Sequence, residues 1–244
     1  MQMYNETRLL TKNNFKTLKG EKYGYFTYIL YMSPATDNSQ GINLCPHASA
    51  GCAMACLFTS GFGGMYEKVA NGRRNKTEWF LHNRESFLLQ LDKEISAIEK
   101  RVTNIERVCI RLNGTTDIRW EKFAIRDGKN IFELHPEIQF YDYTKNPKRF
   151  DIELPANYHL TFSRSEENDV IALQLLNRGV SVAMVFKKTP ETYMGYPVIN
   201  GDENDLRFLD PKGVVIGLKY KRSTGKGGEL TNAEAYSGGF VIMN

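Results

Sequence analysis

The chain has 244 residues, of which 41% are hydrophobic and 25% are charged, a composition typical of a globular protein with a buried core. No apolar run reaches the roughly 18 residues that a membrane-spanning helix needs, and residues 1–20 lack the apolar stretch of a signal peptide. We therefore expect a cytoplasmic protein without a membrane partner. The net charge of +4 is too small to indicate nucleic-acid binding by itself.

Short segments rich in β-branched and aromatic residues alternate with helical patterns or long connections. The predicted strands cover residues 25–32, 107–112, 138–143, 158–162, 180–186 and 213–218. Apolar spacing predicts one long amphipathic helix over 77–102 and a second helix over 170–177, ended by Gly179. The alternation predicts a single α/β domain over 1–244, with a mostly parallel sheet that is open or rolled into a partial (βα) barrel.

Polar residues follow several of the predicted strands. In parallel α/β folds, the carboxyl ends of the strands carry the loops that bind ligands. Hydroxyl, amide and basic groups at these ends suit a ligand that bears a carboxylate or a phosphate. The candidate cofactor-binding residues are Asn113, Gly114, Thr115, Thr116 and Asp117 after the second strand, Lys145 after the third, and Ser163 and Ser165 after the fourth.

Three of the four cysteines, Cys45, Cys52 and Cys56, fall within twelve consecutive residues. In a cytoplasmic chain, such crowding indicates a metal site or catalysis rather than disulfides. Cys52 and Cys56 are four residues apart, so on a helical turn their sulfur atoms lie on one face. Thiolates are soft ligands that select zinc, copper(I) or iron–sulfur clusters. We predict a metal-binding loop over residues 45–56 and favour an iron–sulfur cluster.

Three thiolates leave one coordination position for another ligand. Structural zinc normally has four protein ligands, whereas a 4Fe-4S cluster on three cysteines leaves one iron open. The candidates for that position are His47, Cys109, water and a small molecule. Cys109 lies inside an apolar predicted strand, where a cysteine is more often a buried hydrophobic residue than a ligand. Zinc on Cys45, His47, Cys52 and Cys56 is the alternative metal site.

Several segments together carry a resemblance to a known family. They are Ser33-Pro34-Ala35, the cysteine segment, Arg73, Lys76 and Thr77, the helix with Arg84, Glu85 and Phe87, and the C-terminal Ser237-Gly238-Gly239-Phe240-Val241. These residues resemble the gene-product-eighty-eight family of bacteriophages. The resemblance implies a phage protein that acts in the cytoplasm of the infected host cell.

The position of the cysteines after the first strand is also similar to that in radical S-adenosylmethionine enzymes. Those enzymes carry three cysteines after the first strand of a partial barrel, and S-adenosylmethionine occupies the open iron of their 4Fe-4S cluster. Here six and three residues separate the successive cysteines, which is wider than the usual spacing in those enzymes. The resemblance implies a divergent relative, in which S-adenosylmethionine is the candidate second cofactor.

The sequence supports two classes of function. The first is a redox or radical enzyme in which a small molecule binds the open iron beside the polar strand ends. The second is a non-enzymatic protein with a structural or redox-sensing iron–sulfur or zinc site, whose basic residues contact nucleic acid or a host partner. These basic residues, called the basic set below, are Arg73, Arg74, Lys76, Lys219, Lys221, Arg222 and Lys226.

Overall fold

The computed structural model describes residues 8–12, 15–56, 67–222 and 228–243. In chain order the strands are β1 (Leu10–Thr11), β2 (Phe26–Leu30), β3 (Val108–Arg111), β4 (Gln139–Thr144), β5 (Tyr158–Ser163), β6 (Val182–Phe186), β7 (Thr192–Tyr193), β8 (Tyr196–Asn200) and β9 (Val215–Lys219). They form an open, mostly parallel sheet of nine strands in the order β1-β2-β3-β4-β5-β6-β9-β8-β7. The predicted α/β class with a mostly parallel sheet is confirmed, in its open form.

Seven α-helices and four short 3-10 helices accompany these strands in the described part of the chain. The α-helices have the following bounds. They are α1 (Phe15–Glu21), α2 (Ala50–Met54), α3 (Glu67–His82), α4 (Arg84–Glu99), α5 (Ile131–Leu134), α6 (Asp169–Asn177) and α7 (Gly228–Ser237). None of the described helices is long and apolar enough to cross a membrane.

The chain divides into two compact units. The first comprises the described residues of Met1–Cys45, Lys68–Asp142 and Ile152–His159. The second comprises those of Pro46–Glu67, Tyr143–Asp151 and Leu160–Asn244. The single domain over 1–244 stays a prediction.

In the first unit, β2 and β3 are inner strands. Strand β2 pairs antiparallel with β1 and parallel with β3, and β3 pairs parallel with β4. All four residues of β3 are buried, as expected for an inner strand of a parallel sheet. Helix α4 buries Phe87, Leu91, Ile95 and Ile98 at three- and four-residue spacing, which is the amphipathic pattern seen in the sequence.

The predicted helix over 77–102 is two helices, and the break falls at Asn83. The backbone of Asn83 leaves the helical region at φ −145° and ψ 70°. Its side chain accepts a hydrogen bond from Ser86 N at 3.2 Å and so caps α4. Phe80 of α3 and Phe87 of α4 still contact each other across the break, with ring centroids 5.4 Å apart. Apolar residues on both sides of the break therefore keep the spacing of one continuous helix. Periodicity alone therefore did not reveal the interruption.

In the second unit, β6 lies between β5 and β9 and pairs parallel with both. Helix α6 supplies Ala172, Leu175 and Leu176 to a buried core that also contains Phe162 and Val182. The C-terminal segment pairs with the carboxyl end of β6. Ile242 N donates to Val185 O at 2.8 Å, and Lys187 N donates to Ile242 O at 3.0 Å.

Candidate metal centre

Cys45 lies beside the loop that follows β3 in the first unit. Leu44 O accepts a hydrogen bond from Asp117 N at 2.9 Å, which joins the segment carrying Cys45 to that loop. Cys45 is half-buried, and its Sγ lies 3.6 Å from Thr115 O. The structure therefore brings Cys45 next to one of the predicted cofactor-binding residues, at the carboxyl end of β3.

The loop after β3 is organised by the buried side chain of Asn113. Its Oδ1 accepts from Thr116 Oγ1 at 2.9 Å, Ile118 N at 2.9 Å and Trp120 Nε1 at 3.1 Å. Its Nδ2 donates to Ile118 O at 3.0 Å and to Asp142 Oδ2 at 3.2 Å. Both polar atoms of the amide are used inside the protein, so Asn113 gives the loop its shape.

Gly114 lets this loop pack directly on the end of β2. A Cβ at residue 114 would lie 2.7 Å from Leu30 O and 2.7 Å from Tyr31 Cδ1. Gly114 N donates to Leu30 O at 3.0 Å, and the Thr115 hydroxyl donates to Met32 O. Any side chain at residue 114 would force the loop away from the strand.

Cys52 lies in α2 in the second unit, and the first turn of this helix is held by Glu166. Ser49 caps the helix, because its Oγ accepts from Cys52 N at 3.1 Å. The same hydroxyl donates to Glu166 Oε2 at 2.8 Å, and Gly51 N donates to Glu166 Oε1 at 2.7 Å. Sequence reasoning missed Glu166, since it lies 115 residues from Gly51 and belongs to no local pattern.

Helix α2 also packs on a small hydrophobic cluster. Cys52 and Ala55 contact a buried group that includes Tyr220, Phe240 and Val241. Burial raises the pKa of Tyr220 above its usual range, so its hydroxyl keeps its proton. This hydroxyl donates to Asn232 Oδ1 at 2.9 Å.

Arg164 holds the C-terminal segment that completes this cluster. Its Nη1 donates to Gly239 O at 2.6 Å and to Phe240 O at 3.1 Å. Its Nε and Nη2 make a bidentate pair with Asp169, at 2.6 and 3.0 Å. Arg164 is buried, whereas the side chain of its partner Asp169 is 44% exposed.

Two of the predicted cofactor-binding residues of the second unit meet near Phe240. Lys145 Nζ donates to Ser163 Oγ at 2.7 Å and lies 5.8 Å from the centroid of the Phe240 ring. Ser165 is buried, and its backbone N donates to Asn168 Oδ1 at 2.8 Å in the turn before α6. Lys145 and Ser163 thus lie near the cluster against which Cys52 packs, whereas Ser165 takes part in a turn.

The other candidate ligands differ in their surroundings. Helix α2 ends at Met54, so the helical spacing expected between Cys52 and Cys56 does not extend to half-buried Cys56. His47 is exposed in the turn after Cys45. Cys109 is fully buried in β3 with its Sγ 3.2 Å from Thr27 Oγ1, as expected for a buried cysteine.

None of the four cysteines is in a disulfide, so each can lose its proton to give the thiolate that binds a metal. Cys45 belongs to the first unit, and Cys52 and Cys56 belong to the second. Among the described residues, no group of three or more His, Cys, Asp or Glu side chains is close enough to hold a metal ion. The donor chemistry fits a cluster, and its ligation by these three thiols stays a prediction.

Several members of the basic set make contacts within the protein. Arg74 pairs with Asp37 at 3.0 Å, and the buried Lys76 Nζ donates to Leu9 O at 2.9 Å. The Arg73 guanidinium lies 5.0 Å from the centroid of the Tyr31 ring. Of the other members, Lys221 pairs with Asp202 at 3.6 Å, Lys219 and Arg222 are exposed, and Lys226 lies outside the described residues.

The family model described as Gene product 88 matches residues 6–235 of the chain. The matched range contains Cys45, Cys52 and Cys56, and the residues from Ser237 onward lie outside it. No curated protein and no solved structure matches the chain significantly.

Proposed function

The chain belongs to the Gene product 88 family of bacteriophages, and from this premise we propose that it is an iron–sulfur protein of the infected cell's cytoplasm. Cys45, Cys52 and Cys56 ligate a 4Fe-4S cluster. The observation that carries the proposal is the presence of three thiols within twelve residues, none of them in a disulfide. Thiolates crowded in this way select soft metals and iron–sulfur clusters.

The surroundings of the individual cysteines support this proposal. Cys45 is half-buried beside Thr115 O, at the carboxyl end of β3. The helix that carries Cys52 is tied to Glu166, in the loop after β5. Loops at the carboxyl ends of parallel strands are the usual place for cofactors in α/β proteins.

Three cysteine ligands leave one iron of a 4Fe-4S cluster for a small molecule, which makes the protein a redox or radical enzyme. The cluster supplies one-electron chemistry when bound, and the protein positions the ligand and excludes water. Lys145 Nζ and Ser163 Oγ, 2.7 Å apart, bind a carboxylate or phosphate of that ligand. S-adenosylmethionine, which carries a carboxylate, is the candidate.

Anaerobic purification followed by iron, sulfide and zinc analysis tests the cluster. We expect about four irons and four sulfides per chain and a broad visible absorbance that bleaches on reduction. Zinc without iron would overturn the iron–sulfur proposal and assign the cysteines to a structural zinc site.

Single cysteine variants test the ligand set. We expect Cys45→Ala, Cys52→Ala and Cys56→Ala each to lose most of the bound iron, because each removes one thiolate ligand. Cys109→Ala is the matched control and keeps the iron, since this thiol is buried in β3 beside Thr27. Wild-type iron content in any of the first three variants would remove that cysteine from the ligand set.

Addition of S-adenosylmethionine to the reduced holoprotein tests the enzymatic part. We expect a change in the electron paramagnetic resonance spectrum of the cluster, followed by cleavage of the added cofactor. A cluster that neither binds nor cleaves S-adenosylmethionine would limit the protein to a structural or redox-sensing role.

A further inference from the structure

We infer that Glu166 is a positioning residue for the cysteine ligand Cys52, an inference that rests on the proposed iron–sulfur function. Glu166 belongs to the loop after β5 and is half-buried. Both of its carboxylate oxygens accept hydrogen bonds from the start of α2, one from the N-cap Ser49 and one from Gly51 in the first turn. Bonds to a charged acceptor are stronger than those between neutral groups, so this carboxylate is a firm anchor for the start of the helix.

The hydrogen bonds form a chain that ends on the cysteine ligand itself. Glu166 Oε2 accepts from Ser49 Oγ at 2.8 Å, and Ser49 Oγ accepts from Cys52 N at 3.1 Å. Glu166 Oε1 accepts from Gly51 N at 2.7 Å, one residue before the cysteine. Groups that orient a metal ligand in this way commonly contribute 10–100-fold to metal affinity.

The close approach of Glu166 depends on the glycine at residue 51. A Cβ there would lie 2.7 Å from Glu166 Oε1 and 2.7 Å from Phe240 Cβ. The carboxylate and the Phe240 side chain therefore meet the helix at a point where only hydrogen fits. Cys52 is held by its backbone hydrogen bond to Ser49, which Glu166 anchors, and by packing against the cluster that contains Phe240.

The charge of Glu166 gives this contact a second effect. A carboxylate near a redox centre opposes the addition of an electron and so lowers the reduction potential. Glu166 therefore both orients Cys52 and tunes the potential of the cluster that Cys52 ligates. A residue that only stabilised the fold would not change this potential.

Substitutions at residue 166 separate orientation from charge. Glu166→Ala removes both acceptors, and we expect iron release to a chelator to become about tenfold faster. In Glu166→Gln the amide oxygen accepts from Gly51 N and the amide nitrogen donates to Ser49 Oγ. This variant therefore releases iron at nearly the wild-type rate, while the potential of its cluster rises because the charge is gone. Glu167 is the exposed residue next to Glu166, and Glu167→Ala is the control. We expect it to leave both the rate of iron release and the reduction potential unchanged.

The outcomes distinguish this inference from the proposed function. Wild-type protein without iron would overturn both. Wild-type protein with a cluster, together with a folded Glu166→Ala that releases iron at the wild-type rate, would overturn the role of Glu166 alone. If Glu166→Ala does not fold, as judged by circular dichroism, Gly51→Ala provides the test. It keeps the carboxylate but displaces it, and iron release at the wild-type rate from this folded variant would also overturn the inference.

Discussion

Asn113 is buried, and its side chain makes five hydrogen bonds within the first unit. Asn113→Ala would leave buried donors and acceptors without partners, among them Ile118 N and Trp120 Nε1. Each such group costs about 1–3 kcal/mol. Because part of the site can relax, we expect the free energy of unfolding to fall by about 3 kcal/mol in a urea titration.

Asn104→Ala is the matched control for this prediction. Asn104 is exposed and its side chain makes no capping hydrogen bond, so we expect a change within about 0.5 kcal/mol. Asn113→Ala could instead unfold at the same urea concentration as the wild-type protein and lose only its affinity for the small-molecule ligand. In that case Asn113 would be a binding group rather than an organiser of the loop.

The side chain of Asn83 marks the break between α3 and α4, within the single helix that the sequence predicts. Asn83 ends the run of helical backbone, and its Oδ1 accepts from Ser86 N. We expect Asn83→Ala to lower the free energy of unfolding by about 1 kcal/mol, the usual value of a lost helix cap. Thermal and urea unfolding monitored by circular dichroism measure this change.

Lys93→Ala is the control at the same scale, since Lys93 is exposed in α4. It removes no cap, and we expect the stability to change by less than about 0.5 kcal/mol. Equal effects of the two substitutions would mean that the cap of Asn83 contributes nothing measurable. In that case, packing at the helix–helix contact, such as that of Phe80 on Phe87, would define the break.

The whole chain carries a net charge of +4, and several of its basic side chains already have partners inside the protein. Arg74 pairs with Asp37, and Lys76 donates to Leu9 O. We therefore expect few phosphate contacts. The affinity for duplex DNA, measured by fluorescence anisotropy, should fall by less than about tenfold between about 50 and 200 mM salt.

Arg222→Ala removes an exposed member of the basic set and serves as the comparison. We expect it to leave the salt dependence unchanged. A loss of affinity of about 10³ or more over the same salt range would show many phosphate contacts and would support a nucleic-acid partner.

Much of the sheet was predictable because its strands are buried and rich in β-branched residues. The six predicted strands correspond to β2, β3, β4, β5, β6 and β9, with ends that differ by at most two residues. The remaining strands escaped notice for physical reasons. β1 and β7 are only two residues long, and β8 is largely solvent-accessible and contains Pro197. Such segments lack the apolar run on which strand prediction depends.

The candidate site was predictable to the extent that its chemistry is local. Crowding of Cys45, Cys52 and Cys56 is visible along the chain, and Asn113-Gly114 is a recognisable turn signal. Tertiary contacts decided what these residues do. They placed Cys45 Sγ beside Thr115 O, used the Asn113 amide to shape a loop, and assigned Glu166 to the helix of Cys52.

The sequence by itself determined the family, the α/β class and the three thiols, because family motifs, strand patterns and ligand types are properties of residue identity and spacing. Only the tertiary structure decided which polar groups are already engaged and which distant carboxylate supports the cysteine helix. The hydrogen bond between Gly51 and Glu166 joins residues 115 positions apart. No local pattern encodes a contact that exists only because the chain has folded.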